Sequence, residues 1–406
     1  MRPKNPWAAG IGIALLLMTA VVPSFAYAAS ANAGQQPPAT PTPYVILQSK
    51  AAGPACSNFG LCPIDVTTAY DFNALFSDGV NGTGQTVVIV DACGSPTIKS
   101  DLKAFDSAFG LNNPTLKVVD VQGSPCTDSG WALETSLDVE WAHVMAPGAA
   151  IDLLVGASPS FTDLYGAWTY SLKHGLGNQI SNSWGGGASC GAASLLRKAM
   201  SQNVTVLTSS GDGGAWGQGT SGTAQEPADC QYILTVGGTQ LNITGSGNYA
   251  GESAWSDAGG GYVPGAKEPS YQKSVGISDS FMLLGKSDVS ADASCGSPVL
   301  VYDTGYGGWV DVCGTSVSTP MWAGFMADVN QIRAVYGFAP AGFINEFLYL
   351  TVYGVNGGSS IYHTDFHDVT TGNDGWPAGT GWDVPTGLGS FDGLNLGNTL
   401  GTNIAA

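Results

Sequence analysis

The sequence predicts an α/β fold, a doubly wound and mostly parallel sheet with helices on both faces. Three observations lead there. Between residues 86 and 208, short apolar runs of strand length alternate with helical patterns. The run Thr86-Val87-Val88-Ile89-Val90-Asp91 is apolar on consecutive positions, as a strand covered on both faces must be. Asp91, Trp184 and Asp212 fall at or just after the ends of predicted strands, where such sheets place their ligands.

The elements follow in order. Arg2 and Lys4 precede an apolar run from Ala8 to Val22, and Ala26-Tyr27-Ala28 offers a small-x-small cleavage site, so residues 1–28 read as a secretory signal peptide. No later stretch is long and apolar enough to span a bilayer, and stable membrane insertion is not expected. Residues 29–55 are rich in Ala, Pro, Gln and Thr and read as a flexible mature N-terminus or a short propeptide. Folded sequence is expected from about Cys56, as one domain over 56–406. Strands are predicted at 86–91, 116–121, 150–155, 179–183 and 204–208, and helices at 98–109, 131–145, 161–172 and 192–200. From Gly237 to Gly314 the chain is Gly-rich, which predicts long loops and short strands.

Composition limits the partners. Of 406 residues only 11% are charged, and the formal net charge is −18. Such a field will not hold nucleic acid, and it suits an acidic medium that protonates carboxylates. Eight cysteines in an exported chain suggest disulfides, with sequential pairing the simplest of 105 connectivities. Paired CxxC units are absent, which argues against zinc.

The chemistry begins at Gly314-Thr315-Ser316, which opens an apolar helix with Pro320 near its first turn. A Ser placed there meets free backbone N–H groups and a helix dipole that favours negative charge. A nucleophile needs a base. The chain has four histidines, His143, His174, His363 and His367, and none begins a His-Gly-Thr helix start. His174-Gly175 falls at a helix end. Carboxylates supply the alternative. Glu134 and Asp138 are four apart and project about 40° from one another at ~100° per residue, with Glu140 and His143 on the far side. Two carboxylates so close can share a proton. Asp212, in Ser209-Ser210-Gly211-Asp212-Gly213, follows a strand in a Gly-rich turn, where a protonated Asp can donate to an oxyanion.

With Ser181 to Gly186, Lys267 to Gln272 and Asp288 to Ala293, these stretches resemble, in order, the serine-carboxyl peptidases of the sedolisin family. The resemblance covers about residues 60–395 and implies a subtilisin-like fold. It implies Ser316 as nucleophile, Glu134 as its base, Asp138 as third triad member and Asp212 in the oxyanion hole. Ser183, Trp184 and Gly185 would line the substrate cleft and pair with peptide backbone as an added strand. Asp91 would assist the Glu134–Asp138 network. The family usually carries a large folded propeptide, whereas here only residues 29–55 separate the signal segment from the catalytic region.

A second match lies within 361–395. Asp368-Val369 precedes Ala378-Gly379-Thr380-Gly381-Trp382-Asp383, and the family binds one calcium with such a segment. By that resemblance Asp368 and Asp383 give carboxylate oxygens, and Val369, Gly379 and Gly381 give carbonyls. The expectation is a secreted, monomeric, acid-active peptidase acting on proteins or peptides. Its rivals are an inactive binding protein on the same scaffold and a neutral subtilisin-type enzyme with a His base.

Overall fold

The apolar run at 86–91 forms the strand Thr86–Ala92 in the computed structural model, which describes residues 38–41, 44–46, 56, 60–187, 189–216, 222–277 and 282–403. Alternate side chains of this strand enter two separate cores. Val87 and Ile89 pack with Leu133 and Leu137 of the Ser129–Met145 helix and with Val317 and Met321 of the Thr315–Val335 helix. Val88 and Val90 pack with Leu164 and Trp168 of the Phe161–His174 helix and with Leu196 of the Ala193–Ser201 helix. A strand clothed by helices on both faces has no polar face, which is why its sequence is an unbroken apolar run.

Across the sheet the strands run Tyr249–Ala254, Leu234–Ile243, Thr205–Ser209, Gln179–Ser181, Thr86–Ala92, Ala150–Gly156 and Leu116–Asp120, with Val289–Asp292 also paired to Leu234–Ile243. All these pairings are parallel except that of Tyr249–Ala254. From Thr86–Ala92 the chain first builds to one side, with Leu116–Asp120 outermost and Ala150–Gly156 between. It then crosses to the other side at Gln179–Ser181. The order therefore reverses between Thr86–Ala92 and Gln179–Ser181, and the crevice at their carboxyl ends is the natural ligand position.

The Ser129–Met145 helix differs from a surface helix. Its residues from Leu133 to Met145 are all buried, including Glu140 and His143, which the helical wheel places away from Glu134. Glu140 accepts from the Tyr302 N–H at 3.0 Å, and His143 lies 3.4 Å from Asp106. The helix is covered by the sheet, by Ile98–Phe109, by Val299–Asp303 and by Thr315–Val335. Gly324 sits where it crosses the last of these. A Cβ there would come within 2.7 Å of the Ala142 carbonyl oxygen and of the Met145 Cβ.

The 237–314 region carries the expected short strands between loops, of four to seven residues each, after the ten-residue Leu234–Ile243 that runs into it. One expectation needs correction. Folded structure starts before Cys56. Thr40–Pro41 pairs antiparallel with Trp184–Gly185, and Tyr44–Ile46 pairs antiparallel with Gly308–Cys313. Sequential disulfide pairing is found as expected, at Cys56–Cys62, Cys93–Cys126, Cys190–Cys230 and Cys295–Cys313. The expected signal segment lies outside the described residues, among which no helix is long and apolar enough to cross a membrane.

Candidate active site

Gly314 caps the Thr315–Val335 helix with φ 134° and ψ 160°, a backbone shape that side-chain-bearing residues rarely adopt. Its N–H donates to the Ala293 carbonyl at 2.7 Å, which ties the helix start to the sheet. Ser316 is the second residue of this helix and is fully buried. Its Oγ donates a long bond of 3.5 Å to the Ser183 carbonyl. Pro320 lies one turn further in than a first-turn proline and cannot donate to the carbonyl of Ser316.

Glu134 and Asp138 come to the same place from the Ser129–Met145 helix, which Asp128 caps by accepting from the Trp131 N–H at 3.0 Å. Both carboxyls are fully buried. The Ser183 hydroxyl donates to Asp138 Oδ1 at 2.7 Å. Ser183 thus touches both halves of the site, its carbonyl at Ser316 and its hydroxyl at Asp138.

The electrostatics follow from packing buried acids together. Burial pushes Glu134 well above the usual carboxylate range, and the nearby charges of Asp138 and Asp91 push it further. The Ser316 hydroxyl opposes that rise by favouring the ionised Glu134. Burial and then Asp91 likewise raise Asp138, against the Ser183 hydrogen bond. Asp91, at the end of its strand, is raised by burial to about 7, with the Thr135 hydroxyl pulling the other way. These three acids cannot all ionise together, so they share protons.

Asp212 lies beyond the end of Thr205–Ser209 and meets the same helix start. Its Oδ1 accepts from the Thr315 N–H at 2.8 Å and from the Thr315 hydroxyl at 2.7 Å. Burial raises it to about 7 despite both bonds. A pocket of 190 Å³ beside it is lined by Ser210, Gly211, Trp216 and Gln225, and a wider cleft of 740 Å³ opens near Cys93, Asp128, Ala132 and Thr304. The histidines have neighbours of their own: His367 stacks on the Tyr249 ring and His363 packs beside Tyr362. His143 is walled in between Asp106 and the Asn112 carbonyl, and His174 ends its helix against the Tyr170 carbonyl beside the cap Gly175.

The structure therefore brings Ser316, Glu134, Asp138, Asp212, Asp91 and Ser183 together. Trp184 departs from the expected cleft lining. Its indole is buried against Phe161, Tyr165 and Trp168, and its Nε1 donates to the Val90 carbonyl at 2.7 Å. A large apolar ring facing the core is the favourable arrangement, and only the Trp184–Gly185 backbone is offered as an edge, which Thr40–Pro41 occupies. Sequence reasoning also passed over Thr315. The signal was a hydrogen-bonding side chain wedged between the capping Gly and the Ser.

The candidate metal segment is also assembled. Gly381 N–H donates to both Asp368 oxygens at 3.0 Å, and Gly379 N–H donates to Asp383 Oδ2 at 2.8 Å. Thr386 holds the other Asp383 oxygen at 2.9 Å. Among the described residues, no hydrogen bond is made to the carbonyls of Val369, Gly379 or Gly381. Two carboxylates and three unclaimed carbonyls in one segment are a hard, oxygen-only donor set, so the residues fit a calcium-like cation.

Comparison with known proteins adds the following. The subtilase family matches residues 135–341. Kumamolisin of Bacillus sp. (strain MN-32) is 29% identical over 368 residues, covering 82% of this chain and 62% of its own length. Sedolisin of Pseudomonas sp. (strain 101) is 28% identical over 379 residues, covering 84% and 61%. Human tripeptidyl-peptidase 1 is 30% identical over 330 residues, covering 72% and 56%. The chain thus spans about three-fifths of the curated relatives it matches. A solved structure of Pseudomonas sedolisin, a serine-carboxyl proteinase complexed with two molecules of pseudo-iodotyrostatin, superposes with a TM-score of 0.74 at 26% identity, covering 86% of this chain and 99% of that one.

Proposed function

Because this chain belongs to the subtilase family, in its sedolisin branch, we propose that it is a secreted, acid-active serine-carboxyl peptidase that cleaves peptide bonds in proteins through an acyl-enzyme on Ser316. The observation that carries this reading is the buried set of Ser316, Glu134, Asp138 and Asp212 at the reversal point of the sheet, while His143, His174, His363 and His367 pack against other groups.

In the proposed mechanism Ser316 Oγ attacks the scissile carbonyl as Glu134 takes its proton. Asp138, held by the Ser183 hydroxyl, keeps the shared proton count of the pair near one negative charge. Asp212, protonated, donates to the oxyanion of the tetrahedral intermediate. Glu134 then returns its proton to the leaving amine, and water repeats the sequence on the acyl-enzyme. The backbone edge at Trp184–Gly185, which Thr40–Pro41 covers, is suited to an extended peptide. The antiparallel Thr40–Pro41 strand supports this, since it is a peptide lying on that edge.

A pH profile tests the reading. Asp212 keeps its proton below about 7, so activity on an unfolded protein should peak in acid and fall as pH rises through that value. As pH falls through its raised value Glu134 gains a proton and activity falls again, giving a bell whose acid limb lies above the ordinary carboxylate range. An optimum at or above neutral pH, with a rising limb near the histidine range, would return the case to a His base.

We also assign one calcium ion to Asp368, Asp383 and the carbonyls of Val369, Gly379 and Gly381. When bound it would neutralise two acids and pin this segment to the body, with no part in the bond-breaking step. Calcium at a hundredfold excess over its dissociation constant adds about 2.7 kcal/mol of stability. Chelation should therefore lower Tm by roughly 3–8 °C, and Asp383→Asn should remove that difference. A parent protein whose Tm ignores calcium would refute the assignment. The four disulfides and the expected signal segment favour an oxidising, extracellular setting, and the protein is proposed to act as a monomer.

A further inference from the structure

Thr315 contributes two atoms to one oxygen of Asp212. Its N–H donates to Oδ1 at 2.8 Å, and its Oγ1 lies 2.7 Å from the same oxygen. That Oγ1 also accepts from the Gly211 N–H at 3.1 Å. A threonine hydroxyl carries one proton and two lone pairs. With one lone pair engaged by Gly211, the proton points to Asp212 Oδ1, a direction assigned from the count of donors and acceptors. Oδ1 then accepts two hydrogen bonds. A proton placed on Oδ1 would confront two donors.

We infer that Thr315 is a positioning residue that fixes where Asp212 is protonated, keeping Oδ1 as acceptor and the acid proton on Oδ2. This rests on the serine-carboxyl reading above. An acid in a buried site has two oxygens, and only a proton on the correct one can meet an oxyanion without reorganisation. Because Thr315 neighbours the nucleophile in sequence, the oxyanion donor and the attacking oxygen share one rigid helix start. The two Thr315 bonds favour ionised Asp212, whereas burial and the Asp257 charge favour the neutral acid. Across the site Asp212 also raises Glu134, so the charged groups facing it are acids.

The test is Thr315→Val beside Thr315→Ser, read by kcat, KM and pH profile, with Tm as a folding control. Loss of the hydroxyl should lower kcat ten- to a hundredfold and leave KM within about threefold, since Thr315 does not touch substrate. With one hydrogen bond fewer on the carboxylate, the alkaline limb should move up by ~0.5–1 pH unit. Thr315→Ser, which keeps the hydroxyl, should restore most of the rate and the parent limb. An unmoved limb in Thr315→Val, or equal damage in Thr315→Ser, overturns the inference. If the valine does not fold, Thr315→Ala reports the same limb with less bulk. Asp212→Ala separates the two levels. Full activity there sinks the oxyanion role itself, whereas an inactive Asp212→Ala with an unmoved Thr315→Val limb sinks only the positioning role.

Discussion

Ser316→Ala loses turnover by on the order of 10³-fold or more while the protein stays folded, because removing the nucleophile closes the acyl-enzyme route altogether. The cavity left by one hydroxyl is small, so Tm should change little. Glu134→Gln should fall by about 10²–10⁴-fold, the usual worth of a positioned base. Asp138→Asn should cost less, since it tunes the base and does not touch substrate. The stability effects run the other way. Each acid replaced by its amide removes a like charge from a buried cluster of acids, so Glu134→Gln and Asp138→Asn should raise Tm at neutral pH. Loss of activity together with gain in stability is the signature of a functional cluster. Should Ser316→Ala retain turnover, the serine mechanism is wrong. Should the parent be folded, calcium-loaded and inert at every pH, the binding-scaffold reading gains.

Raising pH from 4 to 8 should lower the stability of the native state, by on the order of several kcal/mol. Asp91, Asp106 and Asp212 are raised to about 7, and Asp229 to about 6, each chiefly by burial. Between the unfolded carboxylate value and these raised values the native state binds more protons than the unfolded chain. Stability is therefore full below pH ~4, falls as pH rises towards 7, and levels off above. Each unit of upward shift costs ~1.4 kcal/mol above the folded value, and the groups are not strictly additive. His143 works against this trend. Burial lowers it to about 4 and also lowers His367, so folding is penalised as pH falls below 6.5, but two histidines face a larger number of raised acids. Denaturant unfolding at pH 4, 6 and 8 measures the slope. A midpoint that climbs with pH would mean that these carboxyls are solvated or paired with cations in solution.

Much of the sheet was legible because parallel strands buried on both faces are written as short apolar runs, and Thr86–Ala92 and Ala150–Gly156 begin where the pattern says. The pairing of Glu134 with Asp138 was legible from helical spacing alone. Other features depended on distant partners. Thr40–Pro41 is a strand only because Trp184–Gly185 supplies an edge 145 residues away for Thr40 Oγ1 to reach. The short strands of the 237–314 region could be expected but not placed one by one, because glycine hides strand propensity and their partners lie across the sheet. The burial of Glu140 and His143 on the far side of their helix was not legible because a helical wheel gives angles and not neighbours; further helices and strands cover that side as well.

The crossing at Gly324 sets a distance that no loop can adjust. Nucleophile and base ride on different helices, and the missing side chain lets their backbones touch two turns below Ser316. The gap between attacking oxygen and accepting carboxyl is thus the far arm of a lever whose fulcrum is one hydrogen atom in place of a methyl group. Changes in the surface loops around the cleft leave that interior contact, and with it the reaction geometry, untouched.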